Sequence, residues 1–139
     1  MKLVADASVA VKWFLRDLPG ESDIDRASAL LGAIAQGRVS VLEPVHWVAE
    51  VVGVVVRLRP DRAVAAIALL THARFSTIAS RAAYRRAAQL SEGLNHHLFD
   101  TLYHAVALEE GATLVTADEA YFAKAKELGG IARLADFAI

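Results

Sequence analysis

The sequence predicts a three-layer α/β/α sandwich with a mainly parallel central sheet, folded as a single domain over residues 1–139. Three observations carry that expectation. Short apolar segments of strand length alternate with longer segments of helical periodicity, which is the pattern of crossover units. Strands separated by helices pair in parallel. The chain has 139 residues, a length that fits one domain around one core.

The elements follow in order. KLVADA (2–7) is short and apolar, a buried strand. Ser8 is placed to cap a short helix, VAVKWFLR (9–16), which the Pro/Gly stop at 17–20 closes. Residues 21–38 carry Ile24, Ala27, Leu30, Leu31 and Ile34 at helical spacing, with Gly37 beyond the end. VSVLEP (39–44) reads as a second strand, and Pro44 suits the entry of a helix over 45–58. That helix is apolar nearly all round and is expected to be buried on more than one side. A further helix restarts after Pro60, and FSTIA (75–79) is a strand candidate. Residues 80–94 form a more amphipathic helix, and HLFDTLYHAVALEEG (97–111) another, closed by Gly111. ATLVTAD (112–118) is a strand, 119–129 a helix, and 131–139 begins with a last strand.

Composition narrows the function. Net charge is −1, which argues against broad nonspecific binding to nucleic acid while leaving room for a local basic patch. Cysteine is absent, so disulfides, thiolate metal sites and cysteine nucleophiles are excluded. The start of the chain lacks a signal-like apolar stretch, and runs such as VVGVVV are too short to span a bilayer. The expectation is a soluble, cytoplasmic domain with no membrane partner.

Four acids stand out by position. In an open parallel sheet, ligands bind beyond the carboxyl ends of the strands. Asp6 ends the first strand and Asp118 ends the strand TLVTAD, each followed by a helix. Asp100 lies in the first turn of its helix, and Glu50 sits among Val48, Ala49, Val51 and Val52. Each has a plainer reading. Asp6 and Asp118 fit helix caps, Asp100 favours a helix dipole, and Glu50 suits a solvated stripe. Together they can converge on one crevice. No Lys or Arg adjoins Asp6, Glu50 or Asp100 in sequence, so no local cation is offered to neutralise them. Oxygen-only ligands favour Mg²⁺ or Mn²⁺, and such a site suits phosphodiester hydrolysis.

Three blocks, VADASVAVKWFL, LEPVHWVAEVVGVV and FDTLYHAVALEEGATLVTAD, resemble in order the motif blocks of the PIN-domain ribonucleases, and most closely the VapC-type toxins of type II toxin–antitoxin pairs. The resemblance implies a PIN-like fold and an acidic quartet at Asp6, Glu50, Asp100 and Asp118 that holds Mg²⁺, with Mn²⁺ able to substitute. It implies an RNA substrate, a cognate VapB-like antitoxin that blocks the cleft, and a homodimer. Ser8 and Thr116 match hydroxyl residues that orient carboxylates or a metal's water. Two departures stand out. Gly53 occupies the position three after Glu50 where many relatives have Asn, and Tyr121 stands where some carry a further acid.

Other constellations are weaker. His96, Asp100 and His104 are four apart, but a polar helix entry and a partly exposed His104 account for them. A phosphoaspartyl phosphatase wants a second Asp where Ser8 stands. Arg81, Arg85 and Arg86 read as a solvated helix face or as contacts to RNA phosphate or an acidic partner. Trp13, Phe14 and Trp47 read as core, although exposed aromatics on the early helices would serve an antitoxin groove. The competing class is a catalytically silent PIN-like module that binds RNA or protein without turnover.

Overall fold

β1 (Lys2–Ala5) lies in the middle of a five-stranded sheet in a computed structural model that describes residues 1–139. The other strands are β2 (Ser40–Pro44), β3 (Phe75–Ile78), β4 (Thr113–Thr116) and β5 (Ile131–Arg133), in the order β3-β2-β1-β4-β5. Every neighbouring pair is parallel, so the sheet is all-parallel rather than mainly so. Leu3, Val4 and Ala5 are wholly buried, as a central strand covered on both faces requires.

Seven helices flank the sheet: α1 (Ala7–Ala10), α2 (Ile24–Ala35), α3 (Trp47–Leu58), α4 (Ala63–Leu70), α5 (Arg81–Leu94), α6 (Leu98–Glu110) and α7 (Glu119–Ala125). None is long and apolar enough to cross a membrane. The short first helix ends in a tight 3₁₀ turn, Val11–Trp13, ahead of Pro19. Ser8 is not its cap: it lies inside the first turn of α1, and Asp6 holds the N-cap position without capping by its side chain.

The helix buried all round is α6 rather than α3. In α3 a single stripe, Trp47, Val51 and Val55, faces the core at a spacing of four, and Val56 and Leu58 are left exposed. α4, which packs on α3, likewise exposes Val64 and Ile67. α6 packs across β2, β1 and β4 and carries α5 on its other side, so Thr101 to Ala107 are all buried. Its polar residues are satisfied internally. Thr101 Oγ1 donates to the carbonyl of Ala87 at 2.9 Å. His104 is wholly buried, not partly exposed: Nε2 donates to the Gly129 carbonyl at 2.8 Å and Nδ1 accepts from the Tyr121 hydroxyl at 3.0 Å. Burial holds its pKa below the usual histidine value.

The aromatic residues of the early helices are core. Trp13 Nε1 donates to the Ala27 carbonyl at 2.9 Å, and Trp13, Trp47 and Phe75 pack as a cluster with centroids 5.1–6.3 Å apart. Phe14 is buried too, so the VKWFL segment offers no sticky aromatic face.

Two glycines should respond oppositely to Ala. Gly130 has φ +63°, and a Cβ there would meet Leu108 at 2.9 Å, so Gly130→Ala is expected to cost roughly 1–2 kcal/mol. Gly93 lies on α5 facing open space, and Gly93→Ala should stabilise by about 0.5–1 kcal/mol. Urea unfolding of the two variants checks both signs; a neutral Gly130→Ala would contradict the packing described.

Candidate functional site

The register of β1 against β4 brings the first pair of acids together. Ala5 pairs with Val115, and Asp6 extends the ladder by donating its backbone N–H to the Val115 carbonyl at 3.0 Å. The side chain of Asp6 then bridges the first turn of α1 and the end of β4. Its Oδ2 accepts from Ser8 Oγ at 2.6 Å and from Thr116 Oγ1 at 2.8 Å. Each hydroxyl is itself fixed by a backbone N–H, Ala117 onto Ser8 at 3.0 Å and Asp118 onto Thr116 at 3.0 Å. Ser8 and Thr116 thus hold the same oxygen of Asp6.

Asp118 behaves as the plainer reading anticipated, capping α7 by accepting the Tyr121 N–H on Oδ1 at 2.9 Å. That cap uses one oxygen only. Asp100, in the first turn of α6, accepts from His96 Nε2 on Oδ2 at 2.9 Å. Glu50, on α3, accepts the Tyr103 hydroxyl on Oε2, with His46 Nε2 3.7 Å away. Gly53 is exposed with open space where a side chain would project, so Glu50 is oriented from α6 rather than from its own helix.

These four carboxylates line one cleft of about 270 Å³, with Ser8 at its wall. They share a pattern. One oxygen of each is held by a donor of the protein: hydroxyls for Asp6 and Glu50, a ring N–H for Asp100, a backbone N–H for Asp118. The second oxygen of each has no hydrogen-bond partner. No Lys or Arg pairs with any of the four; only His46 and His96 approach them. Burial and the neighbouring Asp100 and Glu50 raise the Asp6 pKa to about 6, with its two hydroxyl bonds opposing. A set of hard oxygens, preorganised and short of positive charge, fits a hard divalent cation.

Two further residues belong to this edge: His96, which the sequence reads as part of a polar helix entry, and one on which the sequence reading is silent. The ligand-capable atoms of His96, Asp100 and Asp118 lie within 4.8 Å of one another. His96 also meets Lys124 Nζ through Nδ1 at 3.2 Å. An ammonium only donates, so Nδ1 accepts, Nε2 bears the proton, and His96 presents a donor to Asp100 rather than a free lone pair. The signal was the spacing of four to Asp100. The second residue is Glu43, buried at the end of β2. Its Oε1 accepts the Ala5 N–H at 2.7 Å, while Oε2 is buried without a partner. Burial raises its pKa well above the carboxylate range, with Asp6 adding to the effect. A single acid inside the strand VSVLEP was its only trace in the sequence.

The raised pKa of Asp6 has a definite consequence for stability. Its folded value, about 6, exceeds the unfolded value of 3.8, so the folded state binds the extra proton between them. Stability contributed by that proton is present below about pH 4 and is lost as pH rises through about 6. At ~1.4 kcal/mol for each pH unit between the two values, the loss is about 3 kcal/mol. Asp6→Asn should remove this slope and melt higher than the parent at pH 7.5 without divalent ions. Parallel pH–melting curves for the two proteins would contradict the electrostatic account.

The comparisons with known proteins agree with this architecture. No curated protein sequence matches the chain. VapBC2 from Rickettsia felis, solved bound to a DNA fragment from its promoter, superposes with TM-score 0.67 at 18% identity, covering 96% of this chain and 98% of that one. A toxin–antitoxin complex from Klebsiella pneumoniae gives 0.67 at 16% identity, with 99% of each chain covered. VapC20 of Mycobacterium tuberculosis, a sarcin–ricin loop cleaving toxin, gives 0.65 at 17% identity over 86% of this chain and 93% of that one. At such identities these neighbours speak for the fold. The PIN domain profile matches residues 3–128, and the chain therefore belongs to the PIN-domain family.

Proposed function

We propose that the chain is a Mg²⁺- or Mn²⁺-dependent endoribonuclease, the toxin of a VapBC-like toxin–antitoxin pair, acting in the cytoplasm. Asp6, Glu50, Asp100 and Asp118 are the residues that would hold one or two ions. The observation that carries the reading is the uncommitted oxygen on each of these carboxylates along a single cleft. Family membership supports hydrolysis of phosphodiesters, and the activity named for VapC20 supports RNA as substrate. When bound, a hard divalent ion makes water nucleophilic near neutral pH and offsets charge building on the phosphate.

The chain's own residues do the positioning. Ser8 and Thr116 hold Oδ2 of Asp6 and leave Oδ1 without a hydrogen bond. Tyr103 and His96 fix one oxygen each of Glu50 and Asp100, so the carboxylates are aimed before any ligand arrives. A mixed single-stranded RNA pool should be cleaved with Mn²⁺ and left intact in EDTA. Asp118→Asn keeps the α7 cap through its amide oxygen, so it should fold yet lose about 100-fold or more in cleavage rate. Mn²⁺ at a hundred times its dissociation constant should stabilise the parent by about 2.7 kcal/mol. Full activity in Asp118→Asn would sink the assignment of that residue, and a parent that leaves RNA intact with Mn²⁺ would make a silent binding module the better reading.

Partners follow from the same site. The neighbours from Rickettsia felis and Klebsiella pneumoniae were solved as toxin–antitoxin complexes, which supports a VapB-like antitoxin here. Val56, Val64 and Ile67 on the outer faces of α3 and α4 are apolar surface that the second copy of a homodimer would cover. An antitoxin arginine placed among the free oxygens would make charge-assisted bonds and exclude the cation. Residual cleavage at fixed antitoxin should therefore rise along a Mn²⁺ series at constant ionic strength. Inhibition that stays flat points instead to steric blocking of the RNA.

A further inference from the structure

A second pocket, of about 390 Å³, opens beside the acidic cleft, and its lining is Ser91, Asn95, His96, His97 and Lys124. It contains no apolar side chain and no carboxylate. Two segments build it. Asn95 ends α5 in the left-handed conformation, φ 48°, and turns the chain sharply so that His96 and His97 precede α6. Lys124 reaches in from α7. It forms no ion pair with any Asp or Glu, unlike Arg59, Arg62, Arg86 and Arg133 elsewhere on the surface.

The donors of this pocket are only partly used. An ammonium has three N–H bonds. Lys124 directs one to the Asn95 carbonyl at 3.1 Å and one to His96 Nδ1 at 3.2 Å, which leaves one unspent. The side-chain amide of Asn95 and the exposed ring of His97 have no hydrogen-bond partner in the protein. A polar hollow offering an unpaired cation, an amide N–H₂ and an imidazole, without an opposing acid, is suited to an anion. His96, a wall of this pocket, also reaches the edge of the acidic cleft: one ring nitrogen faces Lys124 and the other holds Asp100, which lines that cleft. A strand whose scissile phosphate lies at the carboxylates would pass a neighbouring phosphate over this wall.

We propose that the Asn95–His97–Lys124 pocket binds a phosphodiester of the RNA strand adjacent to the one being cut, with Lys124 as its charged contact. The proposal rests on the ribonuclease reading and adds a subsite to it. An acidic peptide has the same charge, but the direct contact of His96 with a carboxylate of the cleft favours the polyanion whose backbone must enter that cleft. Contact through the backbone carries no base preference, so its loss should be equal across RNA sequences.

The test uses Lys124→Gln, which keeps a donor for the Asn95 carbonyl, and Lys124→Arg, which keeps the charge. Mn²⁺-dependent cleavage of two unrelated single-stranded RNAs is followed over a NaCl series. Fluorescein-labelled RNA binding in EDTA is measured beside it. Lys124→Gln should raise KM about tenfold on both RNAs, the loss falling on KM more than on kcat. The plot of log(kcat/KM) against log[NaCl] should flatten by about 0.7, one phosphate's share for a single strand, and Lys124→Arg should restore it. If the parent cleaves and Lys124→Gln keeps its KM and salt slope, the subsite is wrong and the ribonuclease reading stands. If Lys124→Gln melts lower and Lys124→Arg does not restore the slope, Lys124 is a structural clamp and the proposal falls. If the parent neither cleaves nor binds either RNA, both readings fall together.

Discussion

Much of this edge of the sheet hangs on one oxygen, Oδ2 of Asp6. It receives two hydroxyl bonds, one from the turn after β1 and one from the end of β4. Those hydroxyls in turn accept the backbone N–H groups of Ala117 and Asp118. The chain after β4 is therefore tied to the chain after β1 through a side chain, beyond the point where the strand ladder ends. The separation of Asp6 and Asp118 is then a property of sheet register, not of flexible side chains. A slip of the β1–β4 pairing by one residue would carry every side chain of the slipped strand to the opposite face of the sheet and would break the tie with it.

The remaining acids arrive from helices, and each is anchored across an element boundary. Tyr103 on α6 holds Glu50 on α3; His96, ahead of α6, holds Asp100 within it. α6 can serve as the common anchor because it is sealed between sheet and α5, so its side chains have little freedom to turn. Glu43 completes the frame from beneath. β1 and β2 pair at Lys2–Ser40 and Leu3–Val41, and the Ala5 N–H then goes to the Glu43 carboxyl. A side chain there takes the place of a ladder partner and seats Ala5, the residue directly before Asp6. Burying an acid costs stability, and the raised pKa of Asp6 records that cost, with the charges of Asp100 and Glu50 adding to it.

The sheet, the positions of its strands and the acids at their ends were legible because each rests on local pattern. Apolar runs bounded by turn residues mark strands, and an Asp directly after a run marks the carboxyl edge. Whatever depended on long-range packing was not legible. An apolar sequence in α3 looked buried on several sides, yet only the Trp47, Val51 and Val55 stripe is fully buried, with Val48 and Val52 half-buried beside it and Val56 and Leu58 exposed, since burial is decided by what packs opposite. The mixed sequence of α6 hid a helix buried all round from Thr101 to Ala107 because Thr101, Tyr103 and His104 satisfy their polar atoms internally. Ser8 looked like a helix cap from its place after an Asp. It bonds instead to that Asp, and the group that fixes its hydroxyl, the Ala117 N–H, is more than a hundred residues away in sequence and invisible to local reading. His96 was discounted for the same reason, since Lys124, which fixes its tautomer, lies on another helix.

Near-neutral net charge also proved too coarse a guide, because charge here is sorted over a few ångströms. Had Lys124 met Asp100 directly, the ion pair would have satisfied the carboxylate and closed the cleft to a cation. The His96 ring stands between them, takes a hydrogen bond from the ammonium on one side and gives one to the carboxylate on the other. The acid keeps its second oxygen, and the lysine keeps a free donor facing its own pocket. Positive and negative surfaces can then adjoin without cancelling. On the ribonuclease reading that separation matters physically: a polyanion is repelled by bare carboxylates, and a cation one imidazole away lowers that repulsion without occupying the oxygens an ion requires.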